Sequence, residues 1–240
     1  PVANLEPVQL SGTKVKRASL HNAEQMQLLD IHLGDYVYVE KGGEIIPKIT
    51  RVAAEKRGFD IVEAVFPSVC PECGTPLVKD EDEAKHFCPN SDSCPPQIKG
   101  RFIHFIGRKA MDINAGDATI EQLYSKGYIK ELDDLYNLTA GQLLTLDKWK
   151  EKSVSNFLDS LEKSRKVPFE RVLFALGIRY IGETTAKNLA SEFKNIDALA
   201  SATREQLLST EEVGEKLADS LISYFSNEMH LGIIMRLKEA

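Results

Sequence analysis

The four cysteines of this 240-residue chain fall close together, as Cys70-Pro71-Glu72-Cys73, Cys88 and Cys94. Two residues separate the first pair, fourteen form the intervening loop, and five separate the second pair. That spacing brings four thiolates around one tetrahedral ion, and zinc is the metal that such a set selects. Cys70 to Gly74 reads as a knuckle, a tight turn in which sulfurs and backbone amides can face one cation. Four protein ligands close the coordination shell and leave no position for water, so the expected role is structural rather than hydrolytic. The surrounding segment is short and polar (Lys79-Asp80-Glu81-Asp82-Glu83), so metal binding would supply folding free energy that its small apolar surface cannot. Paired disulfides are the competing reading, and they suit a secreted domain, for which no signal peptide is present. A redox Cys-x-x-Cys needs a βαβ context that is absent here. His86 could replace one thiolate, or stand as a solvated histidine.

The cysteines divide the chain into a strand-rich part and a helical part. At 42% hydrophobic, 240 residues can hold two or three small domains with separate cores. No apolar run approaches the ~20 residues of a membrane span. A net charge of −6 argues against a partner held by bulk positive charge, but leaves room for backbone amides and a few placed cations on nucleic acid. The chain opens abruptly at Pro1-Val2-Ala3, in the manner of a piece of a longer protein.

Residues 1–66 alternate as strands over 14–20, 36–39 and 44–49, with turns at Gly34-Asp35 and Gly42-Gly43 and a short helix near 23–30. This fits a small Greek-key barrel of the OB type, although an SH3-like barrel shows the same pattern. Pro47 inside a strand pattern points to an edge or a bulge. Residues 67–96 form the cysteine module, and residues 97–240 read as helical throughout. Apolar stripes run along Ile120, Leu123 and Tyr124, along Leu158 and Leu161, and along Leu217, Leu221 and Tyr224. Thr139, Asp197 and Thr203 stand where N-caps belong. The fold class is therefore multidomain α+β: a small barrel, a four-cysteine module and an all-α tandem of helical hairpins.

The helical part contains a recurring turn. Leu176-Gly177-Ile178-Arg179-Tyr180-Ile181-Gly182 precedes a helix, and Glu212-Val213-Gly214 precedes another. Weaker copies occur around 114–119 and 149–153, which gives a spacing of about 30 to 35 residues and an internal repeat. A glycine turn opening a helix leaves its first amides pointing outward at the positive end of the dipole, where a phosphate diester fits without any base being read. Gly182 and Gly214 equally suit a mere tight connection between helices. Lys187 and Lys216, just inside the following helices, are candidate phosphate partners or ordinary solvated lysines.

A small barrel, a four-cysteine module and tandem hairpins in this order resemble the C-terminal half of bacterial NAD-dependent DNA ligases. Pro1-Val2-Ala3-Asn4-Leu5-Glu6-Pro7-Val8 and Arg17-Ala18-Ser19-Leu20-His21-Asn22 resemble the family's opening barrel strands, and Gly42-Gly43-Glu44-Ile45-Ile46-Pro47 its Gly-Asp/Glu-Val/Ile-Ile-Pro loop. Arg108-Lys109-Ala110-Met111-Asp112-Ile113 resembles the segment joining zinc module to hairpins, and Ala175-Leu176-Gly177-Ile178-Arg179 the third hairpin. The resemblance spans essentially the whole chain. It implies nick sealing in duplex DNA during replication and repair, with NAD and magnesium serving the complete enzyme and structural zinc on Cys70, Cys73, Cys88 and Cys94. The family's adenylation lysine lies in a Lys-x-Asp-Gly motif that this sequence lacks, so no catalytic or NAD-binding residue is assigned and the isolated chain is expected to be inactive. The adenylation, N-terminal NAD-recognition and BRCT domains are expected to be missing from this chain.

The implied partners are nicked double-stranded DNA and the adenylation domain of the same polypeptide. No membrane is expected, and the protein is expected to be a monomer in the bacterial cytoplasm, at the nucleoid. The DNA-binding candidates are Arg17, Gly42, Gly43, Ile45 and Ile46 on the barrel, with the isoleucines as a minor-groove wedge. On the hairpins they are Gly177, Ile178, Arg179, Gly182, Lys187, Gly214 and Lys216. Asn114-Ala115-Gly116-Asp117 and Lys148-Trp149-Lys150-Glu151 depart from the family's Gly-x-Gly turn, so those two hairpins are expected to present amides less freely. A free-standing DNA-binding adaptor and a zinc-and-helix module for protein partners remain alternatives.

Overall fold

A computed structural model describes residues 1–41, 46–59, 61–80 and 83–240. It divides into two compact units, Pro1–Cys94 and Pro95–Ala240. In the first unit, β1 (Val2–Leu10) and β2 (Thr13–Ser19) form a hairpin around Ser11 and Gly12. Both turn residues have positive φ, 49° and 75°, as the tight hairpin turn matching strand twist requires. The α1 helix (Ala23–Leu28) is capped by Asn22, whose side chain accepts from the Gln25 amide at 2.9 Å. Strands β3 (Val37–Glu40) and β4 (Lys48–Val52) complete a four-stranded sheet in the order β1-β2-β4-β3. β2 and β4 run parallel and the other pairs antiparallel.

Strand alternation locates β2 and β3 within one or two residues. It does not mark β1, where Ala3 and Leu5 alternate as half-buried residues against the core but the pattern stops at Pro7; the resemblance over residues 1–8 does mark that strand. The strand expected over 44–49 begins at Lys48, so Pro47 stands before β4 rather than inside it. There its carbonyl accepts from the Ser19 amide at 2.7 Å, and its missing N–H costs the ladder nothing. Further pairing comes from the segment around Glu63, which bridges His32, while the Leu33 and Ala64 amides donate to Val62 and Ile31 carbonyls. Ala18, Leu20, Met26, Ile31 and Ile49 form the core of this sheet.

The cysteine segment adds β5 (Val78–Lys79) and β6 (His86–Phe87), a two-stranded ribbon. Among the described residues, it meets the rest of this unit through an ion pair between Lys79 and Glu24 on α1 and through ring packing of Phe66 on His86 at 4.9 Å. The cysteine module and the sheet thus pack as one body.

The second unit is helical: α2 (Pro95–Ile106), α3 (Asp117–Ser125), α4 (Ala140–Leu144), α5 (Glu151–Ser164) and α6 (Phe169–Ala175) come first. They are followed by α7 (Glu183–Phe193), α8 (Ile196–Ala200), α9 (Arg204–Leu208), α10 (Glu215–Phe225) and α11 (Glu228–Glu239). Two cores form. Phe102, Phe105, Ile120, Leu123, Leu143, Phe157 and neighbours fill the first, and Leu173, Ile181, Leu189, Leu217, Leu221 and neighbours the second. Thr139 and Thr203 cap α4 and α9 through reciprocal capping boxes. Asp197 is not the cap that the sequence reading assigns to it. Asn195 caps α8, and Asp197 lies in the first turn, where its charge suits the dipole.

Candidate metal centre and nucleic-acid interface

The thiols of Cys70, Cys73, Cys88 and Cys94 converge, with all four Sγ atoms within 4.8 Å of one another. The turn that gathers the first pair is closed by the Cys70 amide donating to Thr75 at 2.8 Å and the Gly74 amide donating to Cys70 at 2.9 Å. Gly74 adopts φ +72°, a conformation in which a side chain would be strained. Cys94 is brought in by its amide N–H, which donates to the Asn90 carbonyl at 3.1 Å. Zinc–sulfur bonds of ~2.3 Å in a tetrahedron place sulfurs ~3.8 Å apart. The Cys70–Cys94 and Cys73–Cys88 separations are 3.9 Å and 3.5 Å, so the donor set fits zinc. All four cysteines are free of disulfides, which removes that reading. His86 is not in the group: its ring packs on Phe66, and its buried Nδ1 has no hydrogen-bond partner. Hydrogen bonds from the Thr75 hydroxyl and amide pull the Cys73 thiol down to about 6, whereas burial pushes Cys88 up to about 11.

The hairpin turns share a backbone geometry. Gly116, Lys150, Gly182 and Gly214 are the N-caps of α3, α5, α7 and α10, with φ of −120°, −138°, −87° and −93° and ψ near 180°. None has a side-chain bond to the first-turn amides, in contrast to Asn22, Thr139, Asn195, Thr203 and Asn227, which all do. Helices that begin at a hairpin turn are left uncapped. Two residues before the cap, Lys148, Tyr180 and Glu212 take φ of 67°, 71° and 63°, where the family pattern would hold glycine. The third and fourth turns therefore also contain one glycine rather than two, and the second, with none, reaches the same N-cap conformation. Between each such pair an apolar residue plugs a core: Ile181 and Val213 are buried in the second, and Trp149 packs on the first.

The first two turns lie together. Asn114, Gly116, Gln122, Lys148, Trp149 and Asn156 line one cavity of about 530 Å³, so the degenerate hairpins share a concave, polar surface. Each of the four helices that open at a hairpin turn carries an acid at its first position: Asp117, Glu151, Glu183 and Glu215. Two of these acids meet cations that the sequence reading did not single out. Lys109 Nζ lies 2.7 Å from Glu183 Oε1, and Arg204 pairs with Glu215 and, at 3.2 Å, with Asp219. Those two carboxylates hold the Arg204 guanidinium above its ordinary value. No sequence signal links Lys109 to Glu183, 74 residues away; only the packing of the hairpins does.

Among the candidate residues, Gly182, Lys187, Gly214 and Lys216 are exposed on or just inside α7 and α10. Arg179 is exposed with its guanidinium 4.8 Å from the Tyr180 ring. Ile178 is only 4% exposed and belongs to the second core, so it has no surface to offer a ligand. Gly177 closes α6 with φ +66°, and a Cβ there would meet His104 Cδ2 at 3.4 Å, a reason for glycine that is structural. On the sheet, Arg17 is exposed on β2, and Ile46 is 66% exposed. Gly42, Gly43 and Ile45 lie outside the described residues. Arg51 on β4, stacked 3.9 Å over its cross-strand neighbour Tyr38, is a further exposed cation that the sequence reading missed.

Comparison with known proteins assigns these parts. Residues 1–60 match the NAD-dependent DNA ligase OB-fold domain, residues 69–95 the NAD-dependent DNA ligase C4 zinc finger domain, and residues 171–234 the helix-hairpin-helix motif. The set defines a modular protein of OB fold, thiolate zinc finger and helical hairpins. The DNA ligase of Parabacteroides distasonis is 59% identical over 240 residues, and that of Bacteroides fragilis 54% over 242, each across 100% of this chain. The Flavobacterium psychrophilum DNA ligase is 51% identical over 239 residues. The chain belongs to the NAD-dependent DNA ligase family. It spans 36% of the length of these relatives.

Proposed function

We propose that this chain is the DNA-clamping portion of an NAD-dependent ligase that seals nicks in duplex DNA during replication and repair. The observation that carries the reading is the set of four helices opening at hairpin turns with no side-chain cap, on a chain whose relatives are DNA ligases. Unpaired first-turn amides at the positive end of a helix dipole bind an oxyanion, and a row of them follows a phosphodiester backbone without reading bases. A ligase must act at any nick, so contacts indifferent to sequence suit it. The shared N-cap geometry supports all four turns as contacts, with Gly182, Gly214, Lys187, Lys216 and Arg179 on the third and fourth. Lys109 and Arg204, held beside two of these helix starts by acids, would exchange those carboxylates for phosphate.

We read the chain as three functional domains: 1–66 the OB-type module, 67–96 the zinc finger and 97–240 the hairpin domain. Exposed Arg17 and Ile46 support the sheet as a second DNA-facing surface. Zinc on Cys70, Cys73, Cys88 and Cys94 would supply fold stability alone. NAD, magnesium and the adenylation lysine belong, in this reading, to the rest of the enzyme, and the isolated chain would bind without sealing. A monomer in the bacterial cytoplasm, working at the nucleoid with the adenylation domain and nicked duplex as partners, is the corresponding setting.

The test is fluorescence anisotropy of the chain on nicked, intact and single-stranded DNA. Binding to both duplexes, tightest at the nick, is the expected result. Preference for single strands, or no binding to any of the three, would overturn the clamp.

A further inference from the structure

The two cores of the helical unit are joined in a way that the hairpins themselves do not explain. Four hairpins form two pairs, one around each core. The chain passes from the first pair to the second through α6, where Ala175 belongs to the first core and Leu173 to the second. A single seven-residue helix is a narrow joint. The last helix, α11, closes a second one. Its Ile233 is buried in the first core and Ile234 in the second, and Leu237 packs against both.

Polar contacts anchor α11 at both sides. Arg236 Nε donates to Asp133 Oδ2 at 2.7 Å, its other nitrogen reaches Asp133 Oδ1 at 3.2 Å, and it also pairs with Glu131. Asp133 and Glu131 lie in the 132–137 turn and its cap, which belong to the first pair. Lys238 Nζ donates to Asp197 Oδ2 at 2.7 Å, on α8 of the second pair. The Asp133 side chain is 6% exposed, and a carboxylate so buried is costly without a cation against it. Arg236 supplies that cation from 103 residues away.

We propose that α11 is a brace fixing the spacing of the two hairpin pairs, with Arg236 as its positioning residue, so that both pairs engage one duplex at once. The inference rests on the DNA-binding reading of the hairpins. Two linked modules gain affinity only when their geometry permits simultaneous engagement; loosening the link lowers the effective concentration of the second module. Arg236 need not touch DNA to matter.

The test uses the whole chain, Arg236→Gln, and two duplexes of about 8 and about 24 base pairs, roughly 27 and 80 Å long, short and ample for both pairs respectively. Wild type should bind the long duplex at least about tenfold tighter per site, and R236Q should lose about tenfold on the long duplex and less than about twofold on the short one. Hydrogen exchange without DNA should show faster exchange in α11 and the 132–137 turn, with α5 and α10 still protected. Asp133→Asn, which keeps the buried volume and removes the charge, should reproduce both effects and serves should R236Q fail to fold. Equal losses on both duplexes, no loss on the long one, or unchanged α11 protection would overturn the brace while leaving hairpin binding intact. A wild type that binds neither duplex would overturn the hairpin reading, and the brace with it.

Discussion

Gly182 and Gly214 have ordinary φ values, and a Cβ at either would meet open space. Neither glycine is needed for the fold at that position; what each does is leave the amides uncovered. Gly182→Asp and Gly214→Asp should therefore stabilise the helical unit slightly, each by roughly a few tenths of a kcal/mol as a new N-cap, while weakening DNA binding because a carboxylate occupies the phosphate's place. Thermal melts and anisotropy titrations on one preparation check both signs. Gly177→Ala should do the opposite. It forces a side chain into φ +66° against His104 and should cost about 1 kcal/mol, with DNA affinity per folded molecule unchanged. At the cysteines, Cys94→Ser removes a thiol that is 2% exposed; zinc content should fall from one per chain to none, and the 69–95 module should lose its protection in hydrogen exchange.

At the level of elements, a clasp of Arg57 with Asp30 and the buried Asp35 ties together connecting segments of the first unit. Arg57 Nε donates to Asp35 Oδ1 at 2.9 Å, and its NH1 donates to Asp30 at 2.7 Å. The Asp35 side chain is 1% exposed. Burial alone would raise its pKa, but the Arg57 bond and the His32 amide outweigh it and hold the carboxyl below the usual range. A depressed carboxylate contributes stability above its unfolded value, near 4, and that contribution is lost as pH falls through the lower folded value. The first unit should thus lose stability as pH falls below about 4, and Asp35→Asn should flatten that part of its pH–stability curve, measured by urea denaturation. How legible these elements were follows from where the signal lies. The cysteines were readable because ligand spacing is local, and α4 and α9 because their caps sit beside them. The apolar alternation of β1 is only Ala3 and Leu5 long, and Asp197 lost its cap role to Asn195 because either polar residue fits a start signal. The common turn conformation at Lys150 was hidden because residue type, not backbone angle, was all the sequence displayed.

For the whole molecule, a net charge of −6 means that the proposed attraction to DNA would have to come from placed groups rather than from bulk charge. Lys109, Arg204 and Arg51 could be found only after folding, since each owes its position to a partner on another element. The pairing of the first two turns around one cavity likewise depends on tertiary packing, which made the glycine-poor hairpins look weaker in sequence than their geometry is. The most direct measurement of the central claim is affinity for a nicked duplex across a salt series. Neutralisation of two or more phosphates predicts a straight fall of log K against log salt, with a slope of about −2 or steeper. A slope near zero would contradict a phosphate grip.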